Sequence, residues 1–239
     1  ATRCRHRTCG YWLATDSLLL QLFATLLDCY GNRHWWPGET PFEVCVGAIL
    51  TQNTNWGNVE KAIANLKAAD CLSITGIAAC PPHELAALIR PAGYFNIKAD
   101  RLQSFVRFLN VSHQGSLEQL FEIPWQKARY ELLAVRGIGP ETADSILLYA
   151  GGKPSFVVDA YTRRIFSRLG LVPEQISYDG LQQLFMQHLP LDVDLFNEYH
   201  ALLVELGKQV CRPHPRCPAC CLQKQCSFGN TKLEQSASE

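Results

Sequence analysis

Asp159 closes the run "SFVVD" and is followed at once by Tyr161, Arg163 and Arg164. A carboxylate at the edge of an apolar segment, with cations beside it, reads as more than a plain surface charge. Eighteen residues earlier stands Glu141, inside "RGIGPETAD" (136–144). There Gly137 and Gly139 bracket Ile138, and Pro140 opens the helical pattern "PETADSILLYA". Glycine permits the positive φ of a tight reversal, and proline fits the first helical turn because its missing N–H would be unpaired there. The N–H groups of such a loop and of the helix after it point outward together. That is a phosphate-binding geometry needing no charged side chain. In isolation a G-x-G is an ordinary turn; the flanking residues give it weight.

A third group lies towards the end of the chain. Cys211, Cys217, Cys220 and Cys226 follow C-x5-C-x2-C-x5-C in "CRPHPRCPACCLQKQC", with Cys221 left outside the set. Four thiolates this close fit a [4Fe–4S] cluster or a Cys4 zinc site. Zinc sites usually offer two C-x-x-C knuckles, and this stretch has one. The total of eleven cysteines is odd and concentrated here, which favours a cytosolic metal site over a disulfide framework. Cys29, Cys45 and Cys71 lie in apolar or helical contexts and read as small core residues. Cys4 and Cys9 belong to a basic start, "ATRCRHRTCG", expected to be a loose arm.

Helices must position these groups. Thr15 or Asp16 caps a helix expected to run to about Tyr30, and "GNRHWWPGETP" (31–41) is a loop. Helical patterns follow in "FEVCVGAILTQN", "WGNVEKAIANLKAA", "PHELAALIRPAG" and "IKADRLQSFVRFLN". The last of these carries Leu102, Phe105, Val106 and Leu109 at amphipathic spacing. "WQKARYELLAV", "AYTRRIFSRLG", "DGLQQLFMQHL" and "LFNEYHALLVELGKQV" continue the series. "SFVV" is β-prone but short and isolated, so the expected fold class is all-α. A composition of 47% hydrophobic and 18% charged residues is that of a soluble globular protein. No apolar run reaches the roughly 18–20 residues of a membrane span, and no signal-peptide pattern opens the chain. Zero formal net charge gives no global argument for a polyanionic partner, so any nucleic-acid case rests on local charge.

Taken together, "HWWPGETPFEVCVGAILTQNTNW" (34–56), "RPAGYFNIKADRL" (90–102), "GIGPETADSILLYA" (137–150) and "VVDAYTRRIFSRLG" (157–170) resemble the helix-hairpin-helix DNA glycosylases of the endonuclease III superfamily. Within it they look most like the bacterial 3-methyladenine DNA glycosylase III branch. The resemblance spans roughly Ser17 to Cys226. It implies two helical domains with a DNA-binding cleft between them. One is a six-helix domain over 38–152 carrying the hairpin; the other combines 1–37 with 153–239 and holds the cysteine loop at 211–226. It implies Asp159 as the catalytic carboxylate. It sets Glu141 where endonuclease III has a nucleophilic lysine, so base removal without strand cleavage is expected. It implies a [4Fe–4S] cluster on the four cysteines, although the alkylpurine branch lacks one and the first gap is one residue shorter than in endonuclease III.

The remaining assignments keep two readings each. Trp35, Trp36 and Trp56 supply aromatic faces for an electron-poor base or pack the core. Gln52 fills the stack vacated by a flipped base or caps a neighbouring helix end. Glu141 is a pocket wall or a solvated first-turn acid favoured by the helix dipole. His200 and Lys208 match positions near the pocket, while Arg163 and Arg164 contact DNA phosphates or are solvated. The expected partner is damaged double-stranded DNA, bound by a monomer in a bacterial cytoplasm with no membrane contact. Two rivals stand: an endonuclease III-like enzyme for oxidised pyrimidines using a lysine such as Lys208, and a non-catalytic lesion binder.

Overall fold

The computed structural model describes residues 6–33, 35 and 38–236, and among them there is no strand. The all-α expectation holds. Helix α1 (His6–Tyr30) begins about ten residues earlier than expected. Nothing between His6 and Thr15 interrupts a helix except Gly10, so Asp16 is an interior residue rather than a cap; its carboxylate meets His188 Nδ1 at 2.7 Å. Eight helices follow: α2 (Pro41–Leu50), α3 (Trp56–Ala68), α4 (Ile74–Ala79), α5 (Pro82–Leu88), α6 (Phe95–Ser112), α7 (Leu117–Glu122), α8 (Trp125–Leu133) and α9 (Pro140–Ser145). The last continues through a π-helical turn, Ile146–Ala150. Then come α10 (Ala160–Leu169), α11 (Tyr178–His188), α12 (Val193–Gln209) and α13 (Ser227–Ser236). Side-chain caps from Thr40, Asn55, Ser73, Ser116, Ser177 and Asp192 begin six of these helices, each stabilising by about 1 kcal/mol. No described helix is long and apolar enough to cross a membrane.

The chain divides into two compact units, Trp36–Ser155 and the combination of Ala1–Trp35 with Phe156–Glu239. In the Trp36–Ser155 unit the core is built by Val46, Ile49 and Leu50 of α2, Leu102, Phe105 and Leu109 of α6, and Ile146 and Leu147 after α9. Lys98 lies on the same face of α6, only 1% exposed. Its ammonium donates to Leu50 O at 2.8 Å and Ala92 O at 2.7 Å, satisfying carbonyls at the end of α2 and of the turn Arg90–Ala92 that the helices leave open. Burial and the nearby Arg101 charge lower its pKa.

The other unit centres on aromatic rings. Phe156 stacks on Phe185 at 3.8 Å between centroids and meets Phe196 edge-on at 5.3 Å. Tyr199 of α12 donates to Leu19 O of α1 at 3.0 Å. The extended "SFVV" segment joins no sheet because side chains take its backbone groups. Gln182 donates to Phe156 O at 2.8 Å, Phe156 N–H reaches Met186 Sδ at 3.3 Å, and Val158 N–H reaches Tyr178 Oη at 3.4 Å. A buried backbone must find such partners, and α11 provides them. The segment is thereby fixed just before Asp159.

Candidate active site

Asp159 is the N-cap of α10. Its Oδ1 accepts from Thr162 N–H at 2.7 Å and from the Thr162 hydroxyl at 2.9 Å. Its Oδ2 stands 3.6 Å from His200 Nε2, an ion-pair distance rather than a hydrogen bond. The carboxyl side chain is 12% exposed. Burial opposes ionisation, but the His200 ring, the Thr162 N–H and the Thr162 hydroxyl outweigh it and hold the carboxyl below the ordinary aspartate value. The group is an oriented carboxylate with one oxygen fixed by the helix start and the other facing a histidine.

Close packing of α10 on α12 makes that arrangement possible. A Cβ on Gly207 would collide with the Tyr161 ring, so glycine lets the two helices touch. Arg164 stacks on Tyr161 at 5.2 Å and donates to Cys211 O at 2.8 Å and Gly207 O at 3.1 Å. The structure thus gives Arg164 to the end of α12, where a cation meets unsatisfied carbonyls, and not to an exposed phosphate-facing surface. Arg163 is half-buried, with its Nε lacking a partner. Lys208 is exposed and holds its ammonium 5.4 Å from the Trp35 ring centroid, within cation–π range, so these two candidate pocket residues are brought together. Trp36 lies outside the described residues, as does Cys4.

The four cysteines 211, 217, 220 and 226 line one small cavity. Among the described residues no group of three His, Cys, Asp or Glu side chains is gathered tightly enough for a single metal ion. Burial pushes the Cys220 thiol up to about 11, and the neighbouring cysteines 211, 226 and 217 add to the shift against a Leu222 backbone donor. Such thiols favour the thiolate only when a cation compensates. Arg168 Nη1 lies 3.4 Å from Cys211 Sγ, and Gly229 N–H lies 3.4 Å from Cys226 Sγ. Arg168 also donates to Arg212 O at 2.6 Å and Pro213 O at 2.9 Å, tying the loop to α10.

In the Trp36–Ser155 unit the hairpin joins α8 to α9. Gly137 has φ +88°, and a Cβ there would also strike the Arg101 side chain. Gly139 is the N-cap of α9 at φ −94°, with open space where a Cβ would sit. Ile138 is a core residue, 5% exposed, and its N–H bonds to Val135 O at 3.0 Å. Of the three hairpin positions, then, Ile138 serves packing and Gly139 faces outward. Gln52 Nε2 donates to Thr142 Oγ1 at 2.8 Å and to Gly137 O at 3.2 Å, and Arg101 Nη1 donates to Gln52 Oε1. Trp56 is half-buried on Gly47 of α2, whose added Cβ would lie 3.2 Å from the ring. It packs this unit's core. Glu141 is exposed on the first turn of α9.

Sequence reasoning missed Asp144. Fully buried, it accepts from Arg129 Nε at 2.8 Å and Nη2 at 3.1 Å and from Ser155 Oγ at 2.5 Å. It clamps α8 to α9 and so sets the hairpin's opening. The signal was present: an aspartate inside "TADSILLYA" has to be paired if that run is buried.

Residues 46–191 match the HhH-GPD superfamily base excision DNA repair proteins. The chain is 47% identical over 211 residues to the Methanocaldococcus jannaschii protein named "Putative DNA repair glycosylase MJ1434", covering 87% of this chain and 96% of that one. It is 31% identical over 193 residues to endonuclease III of Thermotoga maritima, covering 79% and 83%. Among solved structures, the H. pylori 3-methyladenine DNA glycosylase bound to 1,N6-ethenoadenine superposes with a TM-score of 0.70 at 32% identity, over 82% of this chain and 97% of that one. An endonuclease III–DNA covalent intermediate shares the fold at a TM-score of 0.78 and 22% identity, over 91% and 98%. The hairpin, the capping aspartate and these likenesses agree: the chain belongs to the HhH-GPD superfamily of base excision DNA repair proteins and is a DNA glycosylase.

Proposed function

We propose that this glycosylase removes alkylated purines, 3-methyladenine foremost, from duplex DNA by water attack and leaves the abasic strand uncut. The observation that carries the reading is Glu141, an exposed carboxylate on the first turn of α9 at the position where the endonuclease III resemblance has an amine. A carboxylate forms no Schiff base, so the lyase route has no nucleophile there. The likeness to a 3-methyladenine glycosylase supports the substrate class. Asp159 stabilises the cationic sugar and orients or deprotonates the water. An N-alkylated purine is already cationic and leaves readily, which matches a site with little acid catalysis. Trp35, with Lys208 beside it, offers an aromatic face to the base. Gln52 fills the vacated stack, and the protein acts as a monomer.

The four cysteines hold a [4Fe–4S] cluster in this reading, supported by their lining of one small cavity and by the likeness to endonuclease III. When bound, the cluster supplies a covalent clamp on the loop 211–226. Arg168 and Arg164 fasten that loop to α10 and to the end of α12. Arg212, His214, Arg216 and Lys224 are then presented on an exposed loop surface for phosphates.

The test is an excision panel of duplexes carrying 3-methyladenine, thymine glycol, uracil, or adenine opposite 8-oxoguanine. Excision of 3-methyladenine with nicking only after alkali is expected; a borohydride-trapped covalent complex would overturn the monofunctional reading. Absorbance near 400 nm with about four irons per chain is expected of the purified protein, and stoichiometric zinc would replace the cluster assignment.

The hairpin gives a separate prediction. Gly139→Ala keeps an allowed φ and meets nothing, so its melting temperature stays within about 2 °C of the parent while affinity for undamaged duplex falls about tenfold through loss of close phosphate approach. Gly137→Ala, strained at positive φ and blocked by Arg101, lowers both. Equal melting temperatures for the two variants would contradict this assignment of roles.

A further inference from the structure

Gln52 does not hang free beside the hairpin: all three of its side-chain hydrogen bonds hold it there. Its amide nitrogen grips Gly137 O and Thr142 Oγ1, and its amide oxygen receives Arg101 Nη1. Arg101 comes from α6, and its stem covers the face of Gly137 that lacks a side chain. One arginine therefore touches both the hairpin and the residue assigned to the base stack. Behind it, Lys98 ties the start of α6 to Leu50 O, the carbonyl two residues before Gln52, so the bridge stands on a rigid base.

We infer that Arg101 is a positioning residue for base extrusion: it latches Gln52 onto the hairpin and sets the balance between this docked state and one in which Gln52 enters the DNA stack. The inference rests on the reading of Gln52 as stack filler. To enter the stack, Gln52 must release Gly137 O, Thr142 Oγ1 and Arg101 together. The Arg101 bond is the charge-assisted one and the strongest of the three, so it contributes most to the docked state. Release also frees the guanidinium beside the hairpin, where a phosphate can replace the lost acceptor. A ligand that draws Arg101 away thus favours Gln52's departure, which links the hairpin's grip on the backbone to opening of the base stack.

The test is a double-mutant cycle on extrusion kinetics, read by stopped-flow fluorescence of 2-aminopurine next to an abasic analogue, so that no lesion preference enters. Arg101→Met keeps the stem over Gly137 and removes the donors; Arg101→Lys keeps one donor and carries the same cycle should Arg101→Met fold poorly. Arg101→Met is expected to speed extrusion about tenfold, the worth of one hydrogen bond to a charged group, with Arg101→Lys intermediate and melting temperatures close to the parent. In a Gln52→Ala chain the same substitution is expected to change nothing. An equal acceleration in both backgrounds, or none in either, overturns the latch. So does an extrusion rate unmoved by Gln52→Ala. Failure of the alkylpurine reading appears elsewhere, as absent 3-methyladenine excision by the unmodified protein while the extrusion cycle still shows coupling.

Discussion

Asp159→Asn is expected to lower the single-turnover excision rate of 3-methyladenine about a thousandfold, with duplex affinity changed less than threefold. The magnitude follows from one charge: at about 4 Å and an effective dielectric near 20, a carboxylate and a cationic sugar attract by roughly 4 kcal/mol, or about three decades in rate. Asparagine is an N-cap as good as aspartate, so the bonds from Thr162 persist and the loss is chemical rather than structural. Asp159→Ala loses the cap as well and falls in stability by about 1 kcal/mol. The pH profile tests the same pairing. The folded-state pKa of Asp159 lies below its ordinary 3.8, so its contribution to stability is present above that value and is lost as pH falls through the folded pKa. In His200→Asn the burial remains while the opposing charge is gone. The carboxyl pKa then rises, and the acid limb of excision moves up in pH. An Asp159→Asn protein excising at the parental rate would remove Asp159 from the chemistry, whereas no excision of any lesion by the unmodified protein would favour a lesion binder.

What could be read before any coordinates divides along a physical line. Gly137 and Pro140 announce themselves locally, because positive φ and a missing N–H restrict which residues a turn accepts, and the hairpin they predict is present. Asp159 stood out as an acid ending an apolar run, but that it caps α10 was not read, because the cap depends on where the helix begins. Residues whose partners lie far off in sequence were not legible. Arg164 looked like a surface cation, yet its acceptors, Gly207 O and Cys211 O, lie more than forty positions away. Trp56 offered an aromatic face in sequence and found a core position because Gly47 leaves room for its ring. Ile138 was grouped with its glycine neighbours although its side chain faces inward. Lys98 was overlooked, but its position was informative. It falls on the apolar stripe with Leu102, Phe105 and Leu109, and a lysine there must find carbonyls or stay out of the core. The start of α1 was misplaced because a capping residue inside a continuous helical stretch does not have to begin a helix.

Breaking the Asp144 clamp is the largest expected change in stability. Asp144→Ala leaves the Arg129 guanidinium, 19% exposed, without its bidentate acceptor, and leaves Ser155 Oγ without the partner it meets at 2.5 Å. Removing one member of a buried ion pair costs about 3–5 kcal/mol, because the remaining charge stays desolvated. For a chain of this size that corresponds to a fall in melting temperature on the order of 10 °C. The clamp joins α8 to α9 across the hairpin, so DNA affinity falls with stability, unlike the Gly139→Ala case where affinity alone falls. The double variant Arg129→Leu with Asp144→Leu separates charge from packing. With both charges absent, most of the lost stability returns, limited by the lost Ser155–Asp144 hydrogen bond and by how well two leucines fill the space. If the pair matters only as volume, Asp144→Leu alone recovers as much as the double variant does. If it matters as a matched charge, Asp144→Leu alone is no better than Asp144→Ala, and only the second substitution restores the fold. Urea unfolding of the four chains reads this directly, and a fall below 1 kcal/mol for Asp144→Ala would exclude the clamp as a major support of the hairpin.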